Sequence, residues 1–282
     1  MKKTCLLAVL ALAAVLLIAP AGAKAEMYIE GYLGGGFGGD LSDNSFGATF
    51  TGGVLNGQSI TGNAPGKADP FVIGGLKLGT WFVKEGFLGY NYPDWMKYLG
   101  FYLDFSYHRL NLKNQGFGAT DALGGVPIAF VNTELKSEGT AATLAFMFAF
   151  RYGFFPDSEV PFGRLQPYVA VGPAILFSTQ EPTANVMAAA IPGTVFTSTN
   201  VGSRGSTDIA LAVDAGLRYM ALKNVSIDAS FKYRWANPSY TYSGSYAWGP
   251  AGAPALSTGA VSYKYEPTLN LFSFQLGAAY HF

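Results

Sequence analysis

Two adjoining stretches decide the fold: Asp208-Ile209-Ala210-Leu211-Ala212-Val213-Asp214-Ala215-Gly216-Leu217-Arg218-Tyr219 and, after a short turn, Val225-Ser226-Ile227-Asp228-Ala229-Ser230-Phe231-Lys232-Tyr233-Arg234-Trp235. In both, the odd positions are apolar and every charge falls on an even position. Successive side chains of a strand point to opposite faces, so this spacing gives one apolar and one polar face. A helix would set Asp214 and Arg218 among apolar neighbours, so the period of two prevails over 3.6.

The same alternation recurs outward from this pair. Leu99, Phe101, Leu103, Phe105 and Tyr107 alternate with Gly100, Tyr102, Asp104, Ser106 and His108. Ala142 to Phe150 reads likewise, ahead of Arg151. Weaker runs cover 27–38, 71–83, 165–179 and 268–282, the second carrying Lys77 between Leu76 and Leu78. Eight strands of about ten residues or more are long for a soluble sheet and suited to a tilted membrane strand.

The connections alternate in length. Residues 39–70, 112–139, 180–206 and 238–266 are long and rich in Gly, Ser, Thr, Asn and Pro, whereas 84–97, 153–164 and 221–224 are shorter. Long loops in alternate positions all fall on one side of the sheet. Outer-membrane barrels have this asymmetry, with short periplasmic turns and long extracellular loops. The sequence therefore predicts an all-β chain: a transmembrane antiparallel up-and-down β-barrel of about eight strands with four long extracellular loops. Hairpins inside the loops, with 126–136 the foremost place, would raise the count to ten. Aromatics near strand ends predict two interfacial girdles. Trp81, Phe82, Tyr98, Tyr152, Phe154, Tyr219, Tyr280 and Phe282 stand at the turn end, and Tyr107, Phe177 and Trp235 at the loop end.

The first 25 residues read as a cleaved signal peptide. Lys2 and Lys3 precede an apolar run from Leu6 to Ile18, and Ala23-Lys24-Ala25 supplies the small residues of a cleavage site. Thirteen apolar residues are too few for a bilayer span, which takes about 20. The barrel is then 26–282. Loss of Lys2, Lys3 and Lys24 takes the 18 basic residues to 15 against 18 acidic, a formal charge of −3. There is no basic run, which argues against nucleic-acid binding. Cys5, the only cysteine, leaves with the leader, so no disulfide or cysteine metal site is expected.

The closing Leu276-Gly277-Ala278-Ala279-Tyr280-His281-Phe282, with its terminal aromatic, resembles the assembly signal of bacterial outer-membrane proteins. Tyr28-Ile29-Glu30-Gly31-Tyr32-Leu33-Gly34-Gly35-Gly36-Phe37-Gly38-Gly39 is similar to the first strand of the OmpA/OmpX-type small outer-membrane barrels, and Pro167-Tyr168-Val169-Ala170-Val171-Gly172-Pro173-Ala174 to their fifth. The resemblance covers 26–282. It implies a bacterial outer-membrane protein handled by the barrel-assembly machinery through Tyr280 and Phe282. No segment like a periplasmic peptidoglycan-binding domain follows, so that role is not implied.

A Lys or Arg on the lipid face costs about 2–4 kcal/mol at the midplane, which assigns the polar parity to the lumen. The inward charges are then Glu30, Asp104, Asp208, Asp214 and Asp228 against Lys77, Arg151, Arg218, Lys232 and Arg234. Five acids against five bases form either a structural ion-pair plug or a narrow polar path. An eight-stranded interior is just wide enough for side chains to fill, which favours the plug. Arg109 has outward parity at the loop end, with Lys113 nearby, and both are placed to reach lipopolysaccharide phosphates. Asp104, Ser106 and His108 share one face, but spacing alone is weak ground for catalysis. Two histidines without a supporting cluster give no metal site, and Gly34-Gly35-Gly36 lacks the lysine and helix of a phosphate loop.

Three function classes follow: a non-enzymatic surface barrel whose loops bind an extracellular ligand, a small porin-like channel, and a lipid-modifying enzyme using Ser106 and His108. The first is the leading expectation, for a monomer without cofactor whose surroundings are outer-membrane lipid and lipopolysaccharide.

Overall fold

The computed structural model describes residues 26–41, 45–63, 66–83, 92–187, 194–199, 202–250 and 256–282. The expected signal peptide lies outside them. The strands are β1 (Glu26–Gly38), β2 (Asp40–Leu41), β3 (Ser45–Thr51), β4 (Gln58–Asn63), β5 (Gly66–Lys67), β6 (Phe71–Trp81), β7 (Leu99–Arg109) and β8 (Leu112–Leu123). They continue as β9 (Val126–Arg151), β10 (Leu165–Met187), β11 (Thr194–Thr199), β12 (Arg204–Leu222), β13 (Val225–Ala236), β14 (Tyr240–Pro250), β15 (Ser257–Glu266) and β16 (Leu269–His281).

Eight of these close a barrel in the order β1-β6-β7-β9-β10-β12-β13-β16 and back to β1, every pair antiparallel. Closure leaves no unpaired edge, which lipid would penalise because it offers no hydrogen bonds. Outward side chains are apolar, as with Leu33, Val72, Phe148, Val169, Leu217 and Leu276. Inward ones carry the charges.

Hairpins form in all four long connections, 126–136 included, yet they do not widen this barrel to ten strands. They build a second ring above it. β3 and β4, β8 and upper β9, upper β10 and β11, and β14 and β15 pair in sequence into an eight-stranded circuit sharing β9 and β10 with the first. β9 is 26 residues long and β10 is 23, against the 9–11 that span a bilayer.

The period of two persists into this ring, but its polarity inverts. Along β13 into β14 the inward positions run from Asp228, Lys232 and Arg234 to the buried Tyr240, Tyr242 and Tyr246. The outward positions run from Ile227, Phe231 and Trp235 to the exposed Asn237, Ser239 and Thr241. Below the boundary the outer solvent is hydrocarbon, so charges turn inward. Above it the solvent is water, so aromatics turn inward. The upper interior is thus a hydrophobic core of Phe46, Phe50, Ile60, Phe117, Tyr246 and Tyr263. The inner face of the loops is mainly apolar, with a few buried polar groups such as Ser137 and Gln180.

Small residues make room for the inner tyrosines. Tyr32 lies across from Gly75, where an added Cβ would fall 2.4 Å from the Tyr32 hydroxyl. Tyr168 covers Gly216 in the same way.

Candidate functional site

The lumen is the site that the alternation builds. At its centre Lys77 on β6 lies 3.0 Å from Glu30, 3.4 Å from Asp214 and 3.7 Å from Asp228, on three other strands. Arg218 reaches Glu30 at 2.6 Å and Asp228 at 3.4 Å, and stacks 4.2 Å from the Tyr28 ring centre. Lys232 pairs closely with Asp104 and lies 3.9 Å from Asp214. Three tyrosines serve the same acids. Tyr32 donates to Asp104 at 2.6 Å, Tyr102 to Asp214 at 2.9 Å and Tyr168 to Asp228 at 2.8 Å. Glu30, Lys77, Asp104, Asp214, Asp228 and Lys232 are all at most 1% exposed. Each charge therefore meets an opposite charge or a phenol donor, as buried ions require.

Other inward charges stand apart from this cluster. Arg151 forms a lower layer with Glu26, Nη1 to Oε1 at 2.7 Å and Nη2 to Oε2 at 2.5 Å, while donating to Gln166 at 3.0 Å. Its guanidinium lies 4.1 Å from both the Trp81 and Phe162 ring centres. Arg234 sits higher and donates to the Ser106 hydroxyl at 2.7 Å. Asp208 has inward parity but stays half-buried, takes a 2.6 Å bond from Ser206, and makes no ion pair among the described residues.

Sequence reasoning missed Glu26 and the tyrosines. Glu26 has the parity of Tyr28 and Glu30, so extending the alternation by two residues would have found it. Tyr28, Tyr32, Tyr102 and Tyr168 occupy lumen positions of the same parity rule, yet tyrosine also suits a lipid interface, which hides the signal. Trp81 corrects the girdle expectation. It is buried inside the mouth, because its parity is that of Lys77. Tyr107, Tyr152, Phe154, Phe177, Tyr219, Trp235, Tyr280 and Phe282 do face outward.

Asp104, Ser106 and His108 do share an inner face, as their register opposite Lys77, Gly75 and Ile73 requires. Their contacts are not those of a triad. Asp104 is taken by Lys232 and Tyr32, and Ser106 by Arg234. The His108 ring stacks on Phe71 at 4.2 Å and sets Nδ1 2.8 Å from the Arg109 carbonyl. No Ser106–His108 bond forms among the described residues.

The family model described as "Outer membrane protein beta-barrel domain" matches residues 7–282. The chain belongs to the outer-membrane β-barrel family. It is a small eight-stranded barrel of the bacterial outer membrane. No curated protein matches the chain significantly. Among solved structures, this outer-membrane barrel is similar to Neisserial surface protein A at 11% identity, covering 91% of this chain and 97% of that one, TM-score 0.33. It is similar to OprG of Pseudomonas aeruginosa at 16% identity, 93% and 98% coverage, TM-score 0.32. The outer membrane protease OmpT of Escherichia coli matches at 11% identity, 93% and 98% coverage, TM-score 0.32.

Proposed function

We propose that the protein is a plugged, non-enzymatic outer-membrane barrel that acts through its extracellular surface in a structural or recognition role. The observation that carries this reading is the compensated charge cluster around Lys77, buried across the full width of the lumen. An ion crossing it would have to displace that cluster, and breaking buried pairs costs about 3–5 kcal/mol each. The upper ring adds a hydrophobic core in line with the plug.

Recognition then falls to the outer surface. Val126, Ile128 and Phe130 alternate outward at the tip of the β8–β9 hairpin, Phe130 being 79% exposed. Exposed apolar stripes of this kind mark interaction surfaces. Arg109 faces outward one step above Tyr107, and Lys113, 3.9 Å from Asp69, is exposed beside it. Two exposed cations at the loop end suit the phosphates of lipopolysaccharide. Tyr280 and Phe282 face outward at the opposite end, their rings 5.3 Å apart, accessible to the assembly machinery. The engagement of Ser106 by Arg234 and of Asp104 by Lys232 speaks against catalysis.

Conductance of the folded protein in a planar bilayer tests the reading. Silence is expected. Stable stepwise conductance whose ion selectivity changes in Asp104→Asn would make the protein a channel instead.

A further inference from the structure

The wall is not equally well paired where the two rings join. Along one edge the register carries straight through: Ala236 faces Leu269 on β13 and β16, and four residues on Tyr240 faces Tyr265 on β14 and β15. Along the other edge of the same two strands it fails. β12 last pairs with β13 at Ala210 and Ala236, and β14 next finds a partner at Ser245, opposite Thr199 of β11. Eight residues separate Ala236 from Ser245 in the chain, whereas ten separate Thr199 from Ala210. No ladder pair joins Arg204–Ile209 to Tyr240–Gly244 among the described residues. The mismatch in length prevents a common register, and Pro238 has no N–H to give.

Two phenols cross behind this gap. Tyr240 donates to the Ser178 hydroxyl at 2.6 Å, and Tyr242 to the Gln180 carbonyl at 3.2 Å. Both acceptors are on β10, the strand beyond β12, so the two side chains pass inside the upper end of β12. Both tyrosines are buried, and burial pushes their hydroxyls well above the ordinary phenol range, keeping them protonated donors. Gln180 is itself fixed by Ser137 at 2.5 Å and the Leu110 carbonyl at 2.8 Å. Outside the gap Ile209 is 81% exposed, next above the girdle level of Leu211 and Trp235.

We propose that this length of wall is a latched lateral seam: it parts between Arg204–Ile209 and Tyr240–Gly244 when the two tyrosine bonds break, and stays closed while they hold. Parting uncovers the aromatic interior of the upper ring beside Ile209, at the outer-leaflet boundary, without unfolding either ring.

Residue-resolved amide exchange on the folded full-length protein tests the seam. In an antiparallel strand alternate amides point to opposite neighbours. In the wild type, only every second amide over 204–209 and 240–244 is expected to be protected, whereas 210–219 are protected throughout. Protection of both parities across the gap would show a closed ladder and overturn the proposal. Tyr240→Phe with Tyr242→Phe is expected to speed exchange about tenfold or more in these two segments alone, as for a local opening. No change, or an equal change across the barrel, would show that the phenols are not the latch.

Discussion

Glu30 and Arg218, 188 residues apart in the chain, meet at 2.6 Å in the middle of the barrel. Glu30 is at the same time the direct cross-strand neighbour of Lys77 on β6. One carboxylate thus ties opposite walls through two cations, and Lys77 ties three acids in return. Lys77→Met would leave Glu30, Asp214 and Asp228 without their shared cation. We expect unfolding stability in lipid vesicles to fall by about 3–5 kcal/mol, the cost of an uncompensated buried charge. An unchanged urea midpoint would sink the plug as a stabilising element.

Two glycines on neighbouring strands should respond in opposite ways. At Gly75 a Cβ would lie 2.3 Å from the Phe105 carbonyl and 2.4 Å from the Tyr32 hydroxyl, whereas at Gly35 nothing lies within 4 Å. Gly75→Ala should cost about 1–3 kcal/mol by overpacking and dislodge Tyr32 from Asp104. Gly35→Ala should be close to neutral. Denaturant midpoints of the two variants, compared with wild type, decide the matter.

The inversion of polarity predicts where the membrane ends. Leu276 and Ser243 both face outward, one on each ring. Leu276→Arg should destabilise the folded state by about 2–4 kcal/mol near the midplane. Ser243→Arg should change it little. Equal costs would mean that the upper ring is also surrounded by lipid.

The periplasmic turn 152–164 has its own acid response. The Val160 and Glu159 amides bond Asp157 at 2.7 and 2.9 Å, and Arg164 pairs with it closely. The Val160 amide first, then Arg164, hold the Asp157 carboxyl below its usual range. A lowered folded value means that the contribution is complete above the unfolded carboxylate range and is lost as pH falls through the folded one. Limited proteolysis across the turn should therefore be unchanged from neutral to mildly acidic pH and rise only in strong acid. Asp157→Asn should flatten that rise.

Much of the molecule was legible in order of side chains alone. Asp214 and Arg218 between Val213, Ala215, Leu217 and Tyr219 leave a strand no choice of faces, because a charge in lipid costs more than any local preference supplies. That parity alone puts Glu30, Lys77, Asp104, Arg151 and Asp228 on the inner face, where all five are buried. It also placed Asp208 inside, where the parity holds but the ion pair does not form. The same rule misassigned Trp81 only where its parity was set aside in favour of a residue-type preference.

The sequence by itself determined eight spanning strands, their inner and outer faces, and the side on which the long connections lie. Those follow from local alternation and from the solvent on each side of a strand, which every residue senses on its own. Only the tertiary structure decided that Arg151 answers Glu26 rather than a nearer acid, that four separate connections close a second ring, and that β12 and β14 fail to pair. These depend on register between segments tens to hundreds of residues apart. Register is settled by the packing of the closed barrel, where a shift of one residue would turn every charge toward lipid.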